Sequence, residues 1–412
     1  MTNMATRQAG DLDPDFNGGM VNLSHLGFSP VFMNEIRPTP DGGVLVTARG
    51  LREGRFISKF TRQGKLDTAF RENGCFAISP QQRLLVAADG SFYLVDKLSG
   101  ARIFVEKFYA DGQRDERYAE KGTAILDFGK AGVKLLIDSR DSHHVPDLSS
   151  TVLAALDGGS LYIVSAGYWG GLDGFRTVLA RLDENGLHDT QYGDNGFFVL
   201  NRPGDKFTLP TSVQVQKFAG QPASLLLNVS ETRPTFEWQP GYNFLLYRLT
   251  RAGQVDETFG EQGVITVHQG QGLDFDFFVD EQQTFKTLHR HNYRSLELKG
   301  WTADGKQDTS FEAWSISMPP ETNIGLGLKS YGAGEHYRVV HFGSVYGTSP
   351  EKRDVFRYLS NGQGDPAFGK QGAATLEVRT SGWLMNVKLE VVPGTHDLFF
   401  TAEDDVFRLK GS

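Results

Sequence analysis

Seven aspartates are the residues of this sequence whose recurrence most invites a chemical explanation. Asp13, Asp67, Asp115, Asp189, Asp256, Asp308 and Asp365 each stand three residues after a glycine and three before an aromatic ring, namely Phe16, Phe70, Tyr118, Tyr192, Phe259, Phe311 and Phe368. Carboxylates gathered on one ring could hold cations or move protons. A residue repeated in every unit, including units that have otherwise diverged, is more simply a structural need of each unit. Asp11, Asp13 and Asp15 in "DLDPDF" alternate as in a calcium loop, but the twelve-residue spacing with its terminal Glu is missing.

The ten histidines give little more. His289 and His291 in "TLHRHNY" alternate along a predicted strand and could share a site, while His143 and His144 are neighbours in the longest connection. Neither pair has a third ligand at metal spacing, and H-E-x-x-H, Gly-x-Ser-x-Gly and Walker patterns are absent from the sequence. The expectation is therefore no metal, no cofactor and no catalytic residue, with the histidines making ordinary hydrogen bonds. Aromatic residues in predicted loops are the other candidates: Tyr168, Trp169, Phe236, Trp238, Tyr242 and Tyr346. Such rings can stack on sugars or anchor a protein partner, or they can pack onto neighbouring loops.

The elements that position these residues follow from the repeat. The phrases are "GDLDPDF", "GKLDTAF", "GQRDERY", "GLHDTQY", "GQVDETF", "GKQDTSF" and "GQGDPAF", their aspartates 54, 48, 74, 67, 52 and 57 residues apart. That period suits a four-stranded propeller blade. An alternating strand ending near Arg or Lys precedes each phrase ("RFISKFTRQG", "FLLYRLTRAG") and a short apolar strand follows ("CFAI", "FFVL"), so the phrase joins a third strand to a fourth. Gly permits the tight turn, Asp accepts backbone N–H groups, and the ring is expected to fold back and seal the gap between blades. A second Gly four residues after the ring (Gly74, Gly122, Gly196, Gly263, Gly372) releases the chain.

Composition agrees. The 412 residues include 48 Gly and 30 Phe, are 39% hydrophobic and 22% charged, and carry a formal charge of −8 without long runs of one sign. No basic stripe suits nucleic acid. Cys75 is the only cysteine, so no intrachain disulfide forms. No apolar run reaches a membrane span and the start lacks a signal-peptide core, so the expected location is cytoplasmic, or secreted without a cleaved signal peptide.

The phrase and its flanks resemble the delta-60 repeat, a bacterial β-propeller family with a "GxLDxxFGxxG" signature, over nearly the whole chain. The Gly after the ring is kept at Gly193, Gly260 and Gly369 and replaced by Asn17, Arg71, Ala119 and Glu312, while "GKQDTSFEAWSISM" has lost both later glycines. The resemblance implies a seven-bladed ring and brings no settled activity.

The expected fold is thus an all-β, seven-bladed propeller of four-stranded antiparallel blades in one domain. The blades span about 31–79, 82–127, 150–200, 211–267, 273–318, 323–377, and 383–410 plus 19–23, the N-terminal strand closing the last. Fourth-to-first and second-to-third connections share one face, where lengths vary most: 127–150, 201–210, 167–174, 231–242 and 343–354. The leading expectation is a non-catalytic module binding a protein partner through that face. A glycan-binding propeller and a hydrolase or lyase with an axial site are the alternatives. Against the glycan, Trp169 and Trp238 are not repeated in every blade.

Overall fold

The computed structural model describes residues 8–411 apart from 27–30, 51–53, 72, 80–81, 99–100, 136–151, 170–174, 202–206, 219, 233–242, 269–273, 281–282, 293–294, 312–313, 318–321, 324–328, 332–337, 346–350, 360–362, 379–387, 393 and 403. After Met20–Asn22 (β1) the chain forms a first antiparallel sheet from Val31–Pro38 (β2), Val44–Gly50 (β3), Gly54–Phe60 (β4) and Cys75–Ile78 (β5). The second is Arg83–Val86 (β6), Phe92–Lys97 (β7), Arg102–Phe108 (β8) and Thr123–Asp127 (β9). The third holds Val133–Leu135 (β10), Val152–Asp157 (β11), Ser160–Trp169 (β12), Phe175–Leu182 (β13) and Phe197–Val199 (β14).

The fourth sheet is Phe207–Gln216 (β15), Ser224–Thr232 (β16), Asn243–Leu249 (β17) and Val264–His268 (β18). The fifth is Asp274–Val279 (β19), Phe285–Asn292 (β20), Ser295–Trp301 (β21) and Trp314–Ser317 (β22). The sixth is Thr322–Asn323 (β23), Lys329–Tyr331 (β24), Arg338–Val345 (β25), Glu351–Leu359 (β26) and Ala373–Val378 (β27). In the last, Leu389–Val391 (β28), Leu398–Ala402 (β29) and Asp405–Leu409 (β30) are joined by β1, with Met20 opposite Phe407 and Asn22 opposite Asp405.

Two sheets depart from the expected four strands. In the third, β11 pairs with the first part of β12, up to Val152 opposite Ser165, and β10 pairs with its far end, Val133 opposite Trp169. A ten-residue strand facing a six-residue one leaves backbone groups open, and β10 satisfies them. In the sixth, β23 and β24 likewise share β25.

Alternation along the strands places apolar side chains between sheets. Val44 and Val46 of β3 pack with Phe399 and Val406 of the last sheet, and Tyr93 and Val95 of β7 pack with Leu161 and Ile163 of β12. Burying a side chain of this size contributes about 1.5–3 kcal/mol, so each sheet depends on its neighbour. First strands lie beside one another in the order β28, β2, β6, β11, β15, β19 and β24, and β24 lies against β28. Small antiparallel sheets packed face to face, first strands innermost, define an all-β propeller. No helix among the described residues is long and apolar enough to cross a membrane.

Candidate functional site

The repeated phrase makes one set of contacts in every sheet. The aspartate N–H donates to a carbonyl of the preceding strand: Asp67 to Lys59, Asp115 to Lys107, Asp189 to Arg181, Asp256 to Arg248, Asp308 to Gly300, Asp365 to Arg357 and Asp13 to Arg408. The last joins the two ends of the chain. Each carboxylate accepts the N–H two residues on, from Ala69 in one phrase to Asp15 in another, and each carbonyl accepts the N–H of its own aromatic. These are Asx turns.

A cation five residues before the phrase glycine completes the unit. Lys59 pairs with Asp67 at 3.4 Å, Lys107 with Asp115 at 3.7 Å, Arg248 with Asp256 at 2.8 Å, Arg357 with Asp365 at 2.9 Å, and Arg181 with Asp189. Arg408 reaches Asp13 at 3.3 Å across the chain ends. Several cations also lie over the phrase ring, Arg357 at 4.5 Å from the Phe368 centroid and Arg248 at 4.8 Å from Phe259. The fifth sheet has Gly300 at this position, where a Cβ would meet Phe311 at 2.6 Å, and Lys286 of β20 lies over that ring at 5.0 Å.

The phrase glycine is required by the neighbouring sheet. A Cβ on Gly186 would lie 2.7 Å from the Tyr118 ring and one on Gly112 would lie 3.0 Å from Phe70, both residues having positive φ. In five phrases the residue after the ring donates onward to the next unit, Arg71 to the Asp111 carbonyl, Ala119 to Asn185, Gly193 to Ala252, Gly260 to Asp304 and Gly369 to Ala9. The aspartates therefore bind their own backbone and cations, and the rings lie between sheets.

The loop aromatics are placed differently. Tyr168 and Trp169, expected in a loop, are the last two residues of β12, paired with Lys134 and Val133. Pairing by β10 carries the strand further than its apolar alternation suggested. Phe236, Trp238, Tyr242 and Tyr346 lie outside the described residues, as do His143 and His144. His289 is buried on β20 and stacks on His268 of the fourth sheet, ring centroids 3.6 Å apart. Among the described residues no three His, Cys, Asp or Glu side chains gather as a metal site.

A cluster that sequence reasoning missed lies on the first strands of the last, first and second sheets. A bulge in β2 between Met33 and Glu35 re-aims Glu35, which accepts the Leu84 N–H at 2.7 Å and Arg83 Nη1 at 3.1 Å. Arg37 spans both neighbours, its Nη1 2.7 Å from Glu390 Oε1 and its Nε donating to the Leu84 carbonyl. Burial alone would raise the Glu35 carboxyl; Arg37, Arg83 and the Leu84 N–H outweigh it and hold it below the usual range. Half-buried Lys388, one residue before β28, is pulled down by burial, with Glu35 opposing and Arg83 and Arg37 reinforcing.

Further out, Arg55 donates to Thr47 Oγ1 at 3.1 Å, and at the end of β7 burial pulls the Lys97 ammonium down to about 8 and raises Asp96. The sequence does hold a signal: Glu35 and Arg37 in "VFMNEIRP", and Lys388 and Glu390 in "VKLEVV", are charged pairs two residues apart on otherwise apolar strands. The first strands of the third and fourth sheets carry Leu153, Leu156, Val213 and Val215 instead.

This geometry defines the class, a β-propeller. No family model and no curated protein sequence matches the chain. Among solved structures, BBS1N in complex with ARL6DN is similar over 92% of this chain and 93% of that one, at 9% identity and a TM-score of 0.44. The β-propeller domain of the Trilobed protease from Pyrococcus furiosus is similar over 93% and 95%, at 10% identity and 0.45. An ulvan lyase is similar over 95% and 96%, at 11% identity and 0.44. Likeness this remote assigns the chain no activity.

Proposed function

We propose that the protein is a closed, seven-bladed propeller of the delta-60 repeat kind and works as a non-catalytic binding module. It engages a protein partner through the face opposite the repeated phrase. Closure is supported by the β1–β30 pairing and by the cyclic order of first strands. One observation carries the functional reading: on the phrase side the recurring aspartates and rings are spent on internal contacts, so residues free to differ lie at the other ends of the strands.

Two experiments test this. Asn22→Cys with Asp405→Cys, in a Cys75→Ser background, should give an intramolecular disulfide in monomeric protein; failure to oxidise, or only intermolecular products, removes the closed wheel. A photo-crosslinking residue at Trp238 should capture a discrete protein in cells, whereas the same residue at Lys65, in the phrase, should not. Equal capture at both sites, or binding on a glycan array lost with Trp169→Ala, overturns the protein-partner reading.

A further inference from the structure

We propose that Lys97 is a modification site: its amine takes an acyl group from a short-chain acyl phosphate, and the new amide carbonyl accepts the Ser165 hydroxyl. The site needs nothing from the partner-face reading. It rests on two polar side chains placed where the strand period calls for apolar ones.

Strand parity sends both residues into one gap. Lys97 shares a face of β7 with Tyr93 and Val95, Ser165 shares a face of β12 with Leu161 and Ile163, and those four side chains pack together between the second and third sheets. β7 and β12 are both second strands of their sheets and run the same way, so Lys97 and Ser165 lie two residues beyond Val95 and Ile163 toward the same end. Their cross-strand neighbours, Ile103 beside Lys97 and Val152 and Val178 beside Ser165, are buried in the same cluster.

The next gap shows what ordinarily stands here. Tyr162 meets Tyr192 edge-on at 5.8 Å just as Tyr93 meets Tyr118 at 5.8 Å, which aligns the two strands and makes Ala166 the counterpart of Lys97. By the same count the counterpart of Ser165 is Val229 of β16, which lies in one apolar cluster with Val164. Lysine and serine thus replace alanine and valine.

Neither group is satisfied within the described residues. Ser165 is fully buried and its hydroxyl has no hydrogen-bond partner among them. No carboxylate among them pairs with the Lys97 ammonium; Asp96 shares the opposite face of β7 with Phe92 and Leu94, accepts the Lys97 N–H at 2.7 Å, and acts on the ammonium only through space. Burial holds this amine at about 8, so it becomes unprotonated and nucleophilic in mildly alkaline solution. An anion as the missing partner would be repelled by Asp96. A neutral amide removes the buried charge and supplies an acceptor for the hydroxyl together. Lys97 is the last residue of β7 and half-buried, so a donor of a few atoms reaches its Nζ, while the fully buried hydroxyl does not compete. The free amine adds to the acyl carbon, the carbon–oxygen bond to phosphate breaks, phosphate leaves with that electron pair, and the proton on nitrogen passes to water.

The test incubates the folded full chain with acetyl phosphate from about pH 7 to 10 and follows each lysine by peptide mass spectrometry. Near pH ~8 Lys97 should react about tenfold faster than exposed Lys65 and Lys121, and its rate should level off above that pH while theirs climb toward ~10.4. In urea the difference should vanish. A lysine that is merely buried would be slower at every pH, so parallel profiles at the three positions, or slower reaction at Lys97, overturn the proposal. Lys97→acetyllysine, installed during synthesis, should melt about 2 °C above the unmodified chain, and Ser165→Ala should remove at least half of that gain while leaving the labelling profile as it was. A gain that Ser165→Ala leaves whole, or a lower melting temperature on acylation, also overturns it.

Discussion

Two arginines, one in the last sheet and one in the second, show how differently the molecule uses charge. Arg408, in the last sheet, is 1% exposed and meets Asp397 at 2.7 Å, Asp13 at 3.3 Å and the carbonyls of Gly42 and Arg62. It ties the start of the chain, its end and the first sheet together. Arg83, the first residue of β6 in the second sheet, is 38% exposed and shares one buried glutamate with Arg37. In six of the seven phrases the aspartate meets its own arginine or lysine in the same local contact; the contact around Glu35 occurs once, and there one carboxylate faces two guanidinium groups.

The sharpest way to break this contrast is Arg408→Met. It leaves Asp13 and Asp397 buried without their guanidinium, and should cost about 3–5 kcal/mol in urea unfolding. A loss under about 1 kcal/mol would mean that the seam is held by apolar packing alone. Gly186→Ala comes next. The new methyl group meets the Tyr118 ring at 2.7 Å and the residue keeps positive φ, so about 2–3 kcal/mol should be lost.

At the end of β7 the sign reverses, because burial works against the Lys97 ammonium. Lys97→Met should stabilise the protein by about 1 kcal/mol at pH 7, after allowance for partial exposure. Burial holds the folded ammonium at about 8, whereas unfolded lysine titrates near ~10.4. Between those values the unfolded chain binds more protons, so wild-type stability from this group rises with pH. The advantage of Met is full below pH ~8 and fades by pH ~10, which thermal melts across that range will show. The smallest effect is Ala119→Gly, which relieves a φ of 46° and should gain about 0.5 kcal/mol by the same melts.

Much of the fold was legible because it is written seven times. The spacing of Asp and aromatic residues located the turns, and the strand fragments at the two ends foretold the β1–β30 pairing. Splitting of the third and sixth sheets was not legible, since β10 and β23 are three and two residues long and show no alternation of their own. The phrase cation was half visible: strands were seen to end near Arg or Lys, but pairing with the aspartate eight residues on depends on the hairpin's return. Charged residues on the first strands near Glu35 and Glu390 were visible, but their partners were not, because Arg37 and Glu390 are 353 residues apart and Arg83 and Glu35 are 48 apart. Only the sheet order brings them together.

The bond between Asn22 and Asp405 spans 383 residues. During synthesis the first of these leaves the ribosome long before the second exists, so the opening strand must wait, unpaired, while sheet after sheet stacks behind it. Final assembly waits for the strands of the last sheet. A nascent chain stalled before residue 405 would offer chaperones and proteases the raw rim of a sheet, and the cell would have a single late step at which to tell finished molecules from abandoned ones.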